Sequence, residues 1–194
     1  MKKKIIRFVV TLATFIVFAI TCIFIYNQIC LPVIPSRRAV IALDFCKKHN
    51  LNMDYCVFVD FSKHAGKRRY VIYNLNTREI EYSSVCANGL NKNEFSSVEG
   101  SHLSSLGKYK VTSIITKMKI GEEGIIIEGL ESTNSNARDR ELLIHSHSSI
   151  YNNPGTYPFN FFRKNLSWGC FVIDKETFEK TKEISKPMLL WAYN

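Results

Sequence analysis

One cysteine of the chain has neighbours that suit nucleophilic catalysis. Cys170 follows Gly169, and His145 lies 25 positions earlier, at the end of an apolar segment. A thiolate attacks a carbonyl carbon and an imidazole removes the thiol proton, so the two residues together could form a nucleophile and its base. Gly169 has no Cβ, which lets a substrate carbonyl approach, and the N–H groups of Gly169 and Cys170 could stabilise an oxyanion. The competing interpretation is a buried structural cysteine in a core strand.

A second histidine widens the choice of base and raises the alternative of a metal site. His147 lies two residues after His145, and in a strand both side chains point to the same face. Either histidine could therefore approach Cys170. The same three side chains, with His102 or Asp174 as a fourth, have the ligand types that zinc accepts.

The elements that must position these residues are mostly strands. Aromatic and β-branched runs bounded by turn residues predict strands, the first three of which form a meander, and two amphipathic stretches predict helices. The second helix has Asp174 as its expected N-cap. Two long connections, 87–107 and 151–165, are expected to be functional loops, the latter a loop or lid over a site. The predicted strands are 55–61, 69–75, 79–85, 108–116, 124–130, 141–147 and 188–193, and the predicted helices are 38–48 and 175–184.

The N-terminal segment is predicted to be a membrane anchor. Residues 8–26 are almost entirely apolar, and 19 helical residues span about 28 Å, close to the thickness of a bilayer core. Lys2–Lys4 and Arg7 precede this run and place the N-terminus in the cytoplasm. We therefore expect residues 1–30 to hold the protein in the cytoplasmic membrane as a single-pass protein, with the remainder on the outer side. A cleaved signal peptide, followed by secretion, is the alternative.

The charge of the chain does not indicate nucleic-acid binding. Six of the 26 Lys and Arg residues lie in residues 1–38, which contain no Asp or Glu, so the remainder carries 20 basic against 17 acidic residues. The net charge of +9 therefore reflects the flanks of the membrane segment. If Cys170 is a free thiol, at most one disulfide can form among Cys46, Cys56 and Cys86.

Several short blocks occur in an order that resembles the catalytic domain of the L,D-transpeptidases, in the murein L,D-transpeptidase branch. The resemblance covers residues 55–191. It is carried by Asp60-Phe61-Ser62, Gly66-Lys67-Arg68-Arg69, Ser104-Ser105-Leu106-Gly107-Lys108-Tyr109, Gly129-Leu130-Glu131, Ser135-Asn136-Ala137-Arg138, Arg140, Ile144-His145-Ser146 and Ser167-Trp168-Gly169-Cys170.

This resemblance implies a fold and an activity. The fold is expected to be mainly β, a curved mixed sheet or sandwich with one or two helices, in a domain of residues 55–194 that a linker and short helix (31–54) join to the membrane segment. The activity implied is L,D-transpeptidation, a cysteine-dependent acyl transfer on peptidoglycan stem peptides without a metal or cofactor. Water as the acceptor would give an L,D-carboxypeptidase. A catalytically silent wall-binding protein of the same fold is the other alternative.

The resemblance also assigns roles to residues. Cys170 is the nucleophile, His145 the base and Ser146 the residue that orients the imidazole, while Gly169 and Cys170 form the oxyanion hole. Trp168 stands where many family members have a second histidine, and Phe171-Val172 stands where they commonly have arginine. Recognition of the stem's carboxylate must then come from elsewhere. The substrate-binding residues are expected to be Ser167, Trp168, Arg138, Arg140 and His102.

Overall fold

The structure, a computed structural model, describes residues 2–29, 31–89, 94–118, 121–150, 167–184 and 187–194. Within these ranges it contains three helices and eight strands. The helices are α1 (Lys2–Ile29), α2 (Ser36–Lys48) and α3 (Lys175–Glu183), and the strands are β1 (Tyr55–Asp60), β2 (Arg68–Asn74), β3 (Glu79–Val85), β4 (Gly107–Lys117), β5 (Glu123–Gly129), β6 (Leu143–Ser146), β7 (Phe171–Ile173) and β8 (Met188–Tyr193).

Helix α1 belongs to a unit of its own, residues 1–31. Its segment Lys2–Cys22 is, among the described helices, the one long and apolar enough to cross a membrane by length and composition. Large apolar side chains such as Phe8, Phe15 and Phe18 are more than 60% exposed. A signal sequence near an N-terminus has the same composition, so this helix is consistent with both the anchor and the signal interpretation.

Residues 32–194 form the second unit, which is built on one mixed sheet. The strand order is β3-β2-β1-β8-β4-β5-β6-β7. Strands β1 and β8 are parallel, as are β6 and β7, and the other neighbours are antiparallel. The two edges meet where Ala87, just after β3, pairs with Val172 of β7 through N–H···O bonds of 2.8 and 3.1 Å. The sheet is therefore a near-barrel with Cys170 beside its closing bridge.

Both faces of the sheet are covered near β1. Val57 and Val59 point into the interior core, whereas Cys56 and Phe58 pack with helix α2 on the outer face. A strand buried on both faces has an uninterrupted apolar sequence instead of an alternating one. Helix α3 begins at Asp174, whose Oδ1 accepts the Thr177 N–H at 3.1 Å as an N-cap.

The mainly β fold with a curved mixed sheet is thus the fold expected from the sequence. Every predicted strand and helix of this unit occurs within two residues of its predicted bounds in the described ranges. Strand β7 was not predicted, because three residues are too few to show a periodicity. The expected lid at 151–165 lies outside the described residues.

Candidate functional site

Strand β6 carries His145 and lies between β5 and β7. Ile144 pairs with Ile125 on one side and Phe171 on the other, and all three are buried in the interior core. Side chains alternate along a strand, so His145 points to the opposite face of β6. Its ring is 8% exposed.

Cys170 immediately precedes β7 and lies on that same opposite face. The thiol packs beside Val172, the residue that pairs with His145. Its Sγ accepts the Leu143 N–H at 3.4 Å and donates to the Glu141 carbonyl at 3.8 Å. The parallel β6–β7 pairing thus sets the thiol against the backbone of β6, two residues before His145. Two residues that are 25 positions apart in the sequence therefore lie on, or directly before, adjacent strands.

The imidazole of His145 has its tautomer fixed by the backbone. Nδ1 lies 3.0 Å from the carbonyl oxygen of Ser146. A carbonyl only accepts, so Nδ1 carries the proton of the neutral ring and Nε2 presents the lone pair. Ser146 thereby orients the ring through its carbonyl. Nε2 is the nitrogen that can remove a proton.

His147 makes different contacts. Its Nδ1 lies 2.6 Å from the Ser149 hydroxyl and accepts the Ser149 N–H at 3.1 Å. Within the described residues, no group of three or more His, Cys, Asp or Glu side chains is arranged to hold a metal ion.

A tight turn over residues 167–170 fixes the backbone before Cys170. The Ser167 hydroxyl accepts the Gly169 N–H at 3.3 Å and donates to the Cys170 carbonyl at 2.7 Å. Gly169 has a φ of +112°, and a Cβ there would lie 2.8 Å from Leu142 Cδ2 and 2.9 Å from the Leu103 carbonyl oxygen. The turn therefore requires glycine at position 169.

Burial sets the charge state of the pair. It raises the pKa of the Cys170 thiol above its ordinary value of 9.0, while the Leu143 N–H and the charge of Arg140 oppose this shift. Burial also lowers the pKa of His145 below 6.5, against the opposing effects of the Ser146 carbonyl and Glu122. Near neutral pH the resting site is therefore a neutral thiol beside a neutral imidazole.

Trp168 and His102 form the rim of the site. Trp168 is 72% exposed, although it lies two residues before Cys170. Its ring centroid is 4.7 Å from that of His102, a residue held at a φ of +55°. An exposed tryptophan near the Cys170 thiol offers an apolar surface to a bound ligand.

The two arginines considered for carboxylate binding have other partners in this structure. Arg140 donates to the Ser96 carbonyl at 2.9 Å and to the Leu103 carbonyl at 2.6 Å, so it holds the loop that carries His102. Arg138 pairs with Glu128 of β5 at 2.6 Å, and its side chain is 56% exposed.

Two residues near the site had no role assigned from the sequence. Ser104 is fully buried and donates to the Gly169 carbonyl at 2.9 Å. Arg69 is 1% exposed and holds the Cys86 carbonyl and Asn88 on either side of the closing bridge. Both belong to blocks of the resemblance noted above, and that membership is the sequence signal that could have drawn attention to them.

The other described cysteines lie away from this chemistry. Cys46, Cys56 and Cys86 are fully buried free thiols, and Cys22 is an exposed free thiol of α1. Burial raises the pKa of Cys46 to about 11 and that of Cys86 to about 12. Full burial keeps a substrate from reaching these three thiols, whereas Cys170 is partly exposed.

Comparison with known proteins gives one family match. The family model described as L,D-transpeptidase catalytic domain matches residues 34–193, that is, 160 of the 194 residues. No curated protein matches the chain.

Solved structures of similar fold are distant in sequence. The chain is similar to an L,D-transpeptidase from Xylanimonas cellulosilytica (11% identity, TM-score 0.43, covering 72% of this chain and 60% of that one). It is also similar to an L,D-transpeptidase from Mycobacterium tuberculosis (14%, 0.44, 73% and 58%) and to the helical cell shape determining protein Pgp2 from Campylobacter jejuni (12%, 0.47, 72% and 47%). The chain spans about 60% or less of the length of these proteins.

Proposed function

Because the chain belongs to the L,D-transpeptidase catalytic domain family, we propose that it catalyses acyl transfer on peptidoglycan stem peptides through a thioester on Cys170. His145 is the general base, and Ser146 orients it. The observation that carries the proposal is the position of the Cys170 thiol against the Leu143 N–H, on the face of β6 that presents His145. The Nδ1 contact of His145 with the Ser146 carbonyl supports the role of Nε2 as the base.

The first half-reaction forms the thioester. Nε2 of His145 takes the thiol proton as Sγ attacks the carbonyl that joins the third stem residue to the terminal D-amino acid. The carbonyl oxygen becomes an oxyanion, which backbone N–H groups stabilise. The imidazolium then gives its proton to the departing amine as the C–N bond breaks. Because the resting pair is neutral, proton transfer accompanies attack and no preformed thiolate is needed.

The second half-reaction releases the acyl group. An amine of another stem attacks the thioester carbonyl, His145 takes one proton from that amine, and the C–S bond breaks. The thiolate then recovers its proton from the imidazolium. If water is the acceptor, the same steps yield a free carboxylate, and the enzyme is an L,D-carboxypeptidase.

Two features support assignments around the reacting atoms. Of the two oxyanion donors, the Cys170 N–H is the better, because the Gly169 N–H already points to the Ser167 hydroxyl at 3.3 Å. Trp168 with His102 gives the stem a surface for contact. Arg138 is the better candidate to bind the stem's carboxylate, because its exposed side chain can leave Glu128 for the substrate. Arg140 is bound to the loop that carries His102.

The location follows from the substrate. Peptidoglycan lies outside the cytoplasmic membrane, so the catalytic unit must be on that side. We assign α1 as the anchor, with the basic residues Lys2–Lys4 in the cytoplasm. Cell fractionation and intact-mass analysis test this assignment: a soluble product that begins near residue 27 or later would instead identify α1 as a cleaved signal.

The test of function is acylation of the purified protein by a carbapenem. The thiolate opens the β-lactam ring at its carbonyl, and the ring nitrogen takes the proton, so the protein mass rises by one intact drug molecule. We expect a single adduct in the wild type, none in Cys170→Ala, and one in the matched variant Cys86→Ala. Labelling that persists in Cys170→Ala would show that another group is the nucleophile. A wild-type protein that is alkylated at Cys170 yet never acylated would indicate a silent wall-binding protein.

A further inference from the structure

The hydroxyl of Ser104 bridges two backbone groups inside the protein. It accepts the Gly89 N–H at 3.0 Å and donates to the Gly169 carbonyl at 2.9 Å. An amide only donates and a carbonyl only accepts, so the direction of both bonds is fixed and the hydroxyl proton points to Gly169. Ser104 is 0% exposed, and water therefore does not compete for either bond.

The carbonyl that Ser104 holds belongs to the same peptide unit as the Cys170 N–H. This peptide is trans, and in a planar trans peptide the C=O and N–H point in opposite directions. A bond that draws the Gly169 carbonyl toward Ser104 therefore aims the Cys170 N–H away from Ser104. We infer that Ser104 is a positioning residue that orients the Cys170 N–H as the oxyanion donor. The inference rests on the function proposed above.

Such a peptide needs a restraint, because glycine at φ +112° does not supply one itself. Glycine passes readily between left- and right-handed backbone conformations, so the 169–170 peptide could rotate if its carbonyl were free. Rotation would turn the N–H away from the substrate while leaving the Cys170 side chain in place. Ser104 removes that freedom.

Ser104 is itself held on a rigid frame. Gly89 packs so closely on residues 102–104 that a Cβ there would overlap the His102 carbonyl. On the other side, Arg140 fixes the carbonyl of Leu103 at 2.6 Å. Because the backbone of Gly89 and that of Ser104 are both fixed, the Ser104 hydroxyl can set the direction of the Gly169 carbonyl.

The test compares two reactions of one thiol in the full-length protein in detergent. Acylation by a carbapenem passes through an oxyanion, whereas alkylation by iodoacetamide displaces iodide and forms none. Both rates are measured by mass spectrometry at Cys170. The matched control is Ser105→Ala, because Ser105 is equally buried and bonds to Tyr109 instead. Tyr109 keeps its bond to the Ser105 carbonyl in that variant.

For Ser104→Ala we expect the rate of acylation to fall by about 10- to 100-fold, a smaller effect than removal of the oxyanion donor itself would have. The rate of alkylation should stay within about twofold of the wild-type rate. Ser105→Ala should change neither rate. Equal losses of both rates in Ser104→Ala would indicate a purely structural residue, and two unchanged rates would indicate no role; either result overturns the inference. A wild-type protein that is never acylated refutes the proposed function itself, and the inference with it.

A second variant covers the case in which Ser104→Ala does not fold, which alkylation of the buried Cys46, Cys56 and Cys86 would reveal. Ser104→Cys nearly preserves the volume and weakens the donor. It must slow acylation while alkylation of Cys170 is retained. A Ser104→Cys protein with wild-type acylation would overturn the inference.

Discussion

Arg69 is predicted to be a main contributor to the stability of the sheet unit. Its side chain donates to the Cys86 carbonyl at 2.7 Å, the Lys63 carbonyl at 3.1 Å and Asn88 Oδ1 at 2.6 Å. Among the described residues, no carboxylate forms a salt bridge with this guanidinium. Burial lowers the pKa of Arg69 to about 10, which still leaves it charged at neutral pH.

The magnitude follows from what the substitution Arg69→Met would leave behind. Each hydrogen bond from a charged donor contributes about 1.5–3 kcal/mol, and loss of the donor leaves two buried acceptors and one part-buried acceptor without it. Removing the charge also relieves its desolvation penalty, so the bonds do not add in full. We expect the free energy of unfolding to fall by about 3 kcal/mol, or about 6–12 °C in Tm for a domain of this size.

Intrinsic fluorescence in urea measures this change, because both tryptophans, Trp168 and Trp191, lie in the sheet unit. The matched control is Arg138→Met, which removes an exposed pair with Glu128 and should cost less than about 1 kcal/mol. If Arg69→Met were no less stable than Arg138→Met, the reasoning that the Arg69 bonds stabilise the closing bridge would be refuted.

Four further predictions concern the titratable groups. His145→Gln should slow carbapenem acylation by on the order of 100-fold, and His147→Gln far less, because only the former removes the general base; equal losses would contradict this. Acylation should decline as the pH falls below 6.5, because the lowered pKa of His145 keeps it a free base above that value. Direct alkylation of Cys170 should keep rising above pH 9.0, and a plateau below that value would contradict the raised pKa. The folded state binds the protons of Cys46 and Cys86 more tightly than the unfolded state. The two protonated thiols therefore stabilise the folded state fully below pH 9, and this contribution is lost as the pH rises toward about 11 and 12. Urea midpoints at pH 8 and 10 should therefore differ, the higher pH giving the lower midpoint, and equal midpoints would count against the shifts.

The sequence predicted local elements better than their arrangement. The meander β1–β2–β3 follows from three apolar runs joined by short turns, because each strand pairs with its neighbour in the chain. The position of β8 between β1 and β4 does not, since these pairings join residues 77 or more positions apart. A strand of six apolar residues has no local feature that specifies its neighbours.

The candidate site likewise contains residues that the sequence indicated and residues whose roles it did not show. Gly169, Cys170 and His145 stand out by residue type and by resemblance. Ser104 lies in a block of the resemblance, but its residue type gives no sign of a role, because its partner, the Gly169 carbonyl, is 65 positions away in the sequence. Arg140 was expected to bind a carboxylate, and its bonds to a loop could not be read from a sequence that specifies charge but not partners.

The central place of β8 bears on when the protein can fold. Without Met188–Tyr193 the described strands form two groups, β3-β2-β1 and β4-β5-β6-β7, which are linked through the isolated bridge between Ala87 and Val172 and have unpaired edges at β1 and β4. Synthesis reaches this strand after all the others, so a nascent chain that already extends through β7 still lacks the strand that joins β1 to β4. The sheet can therefore be completed only after residues 188–193 have been synthesised. The order of strands thus makes completion of the sheet that surrounds Cys170 a late step in folding.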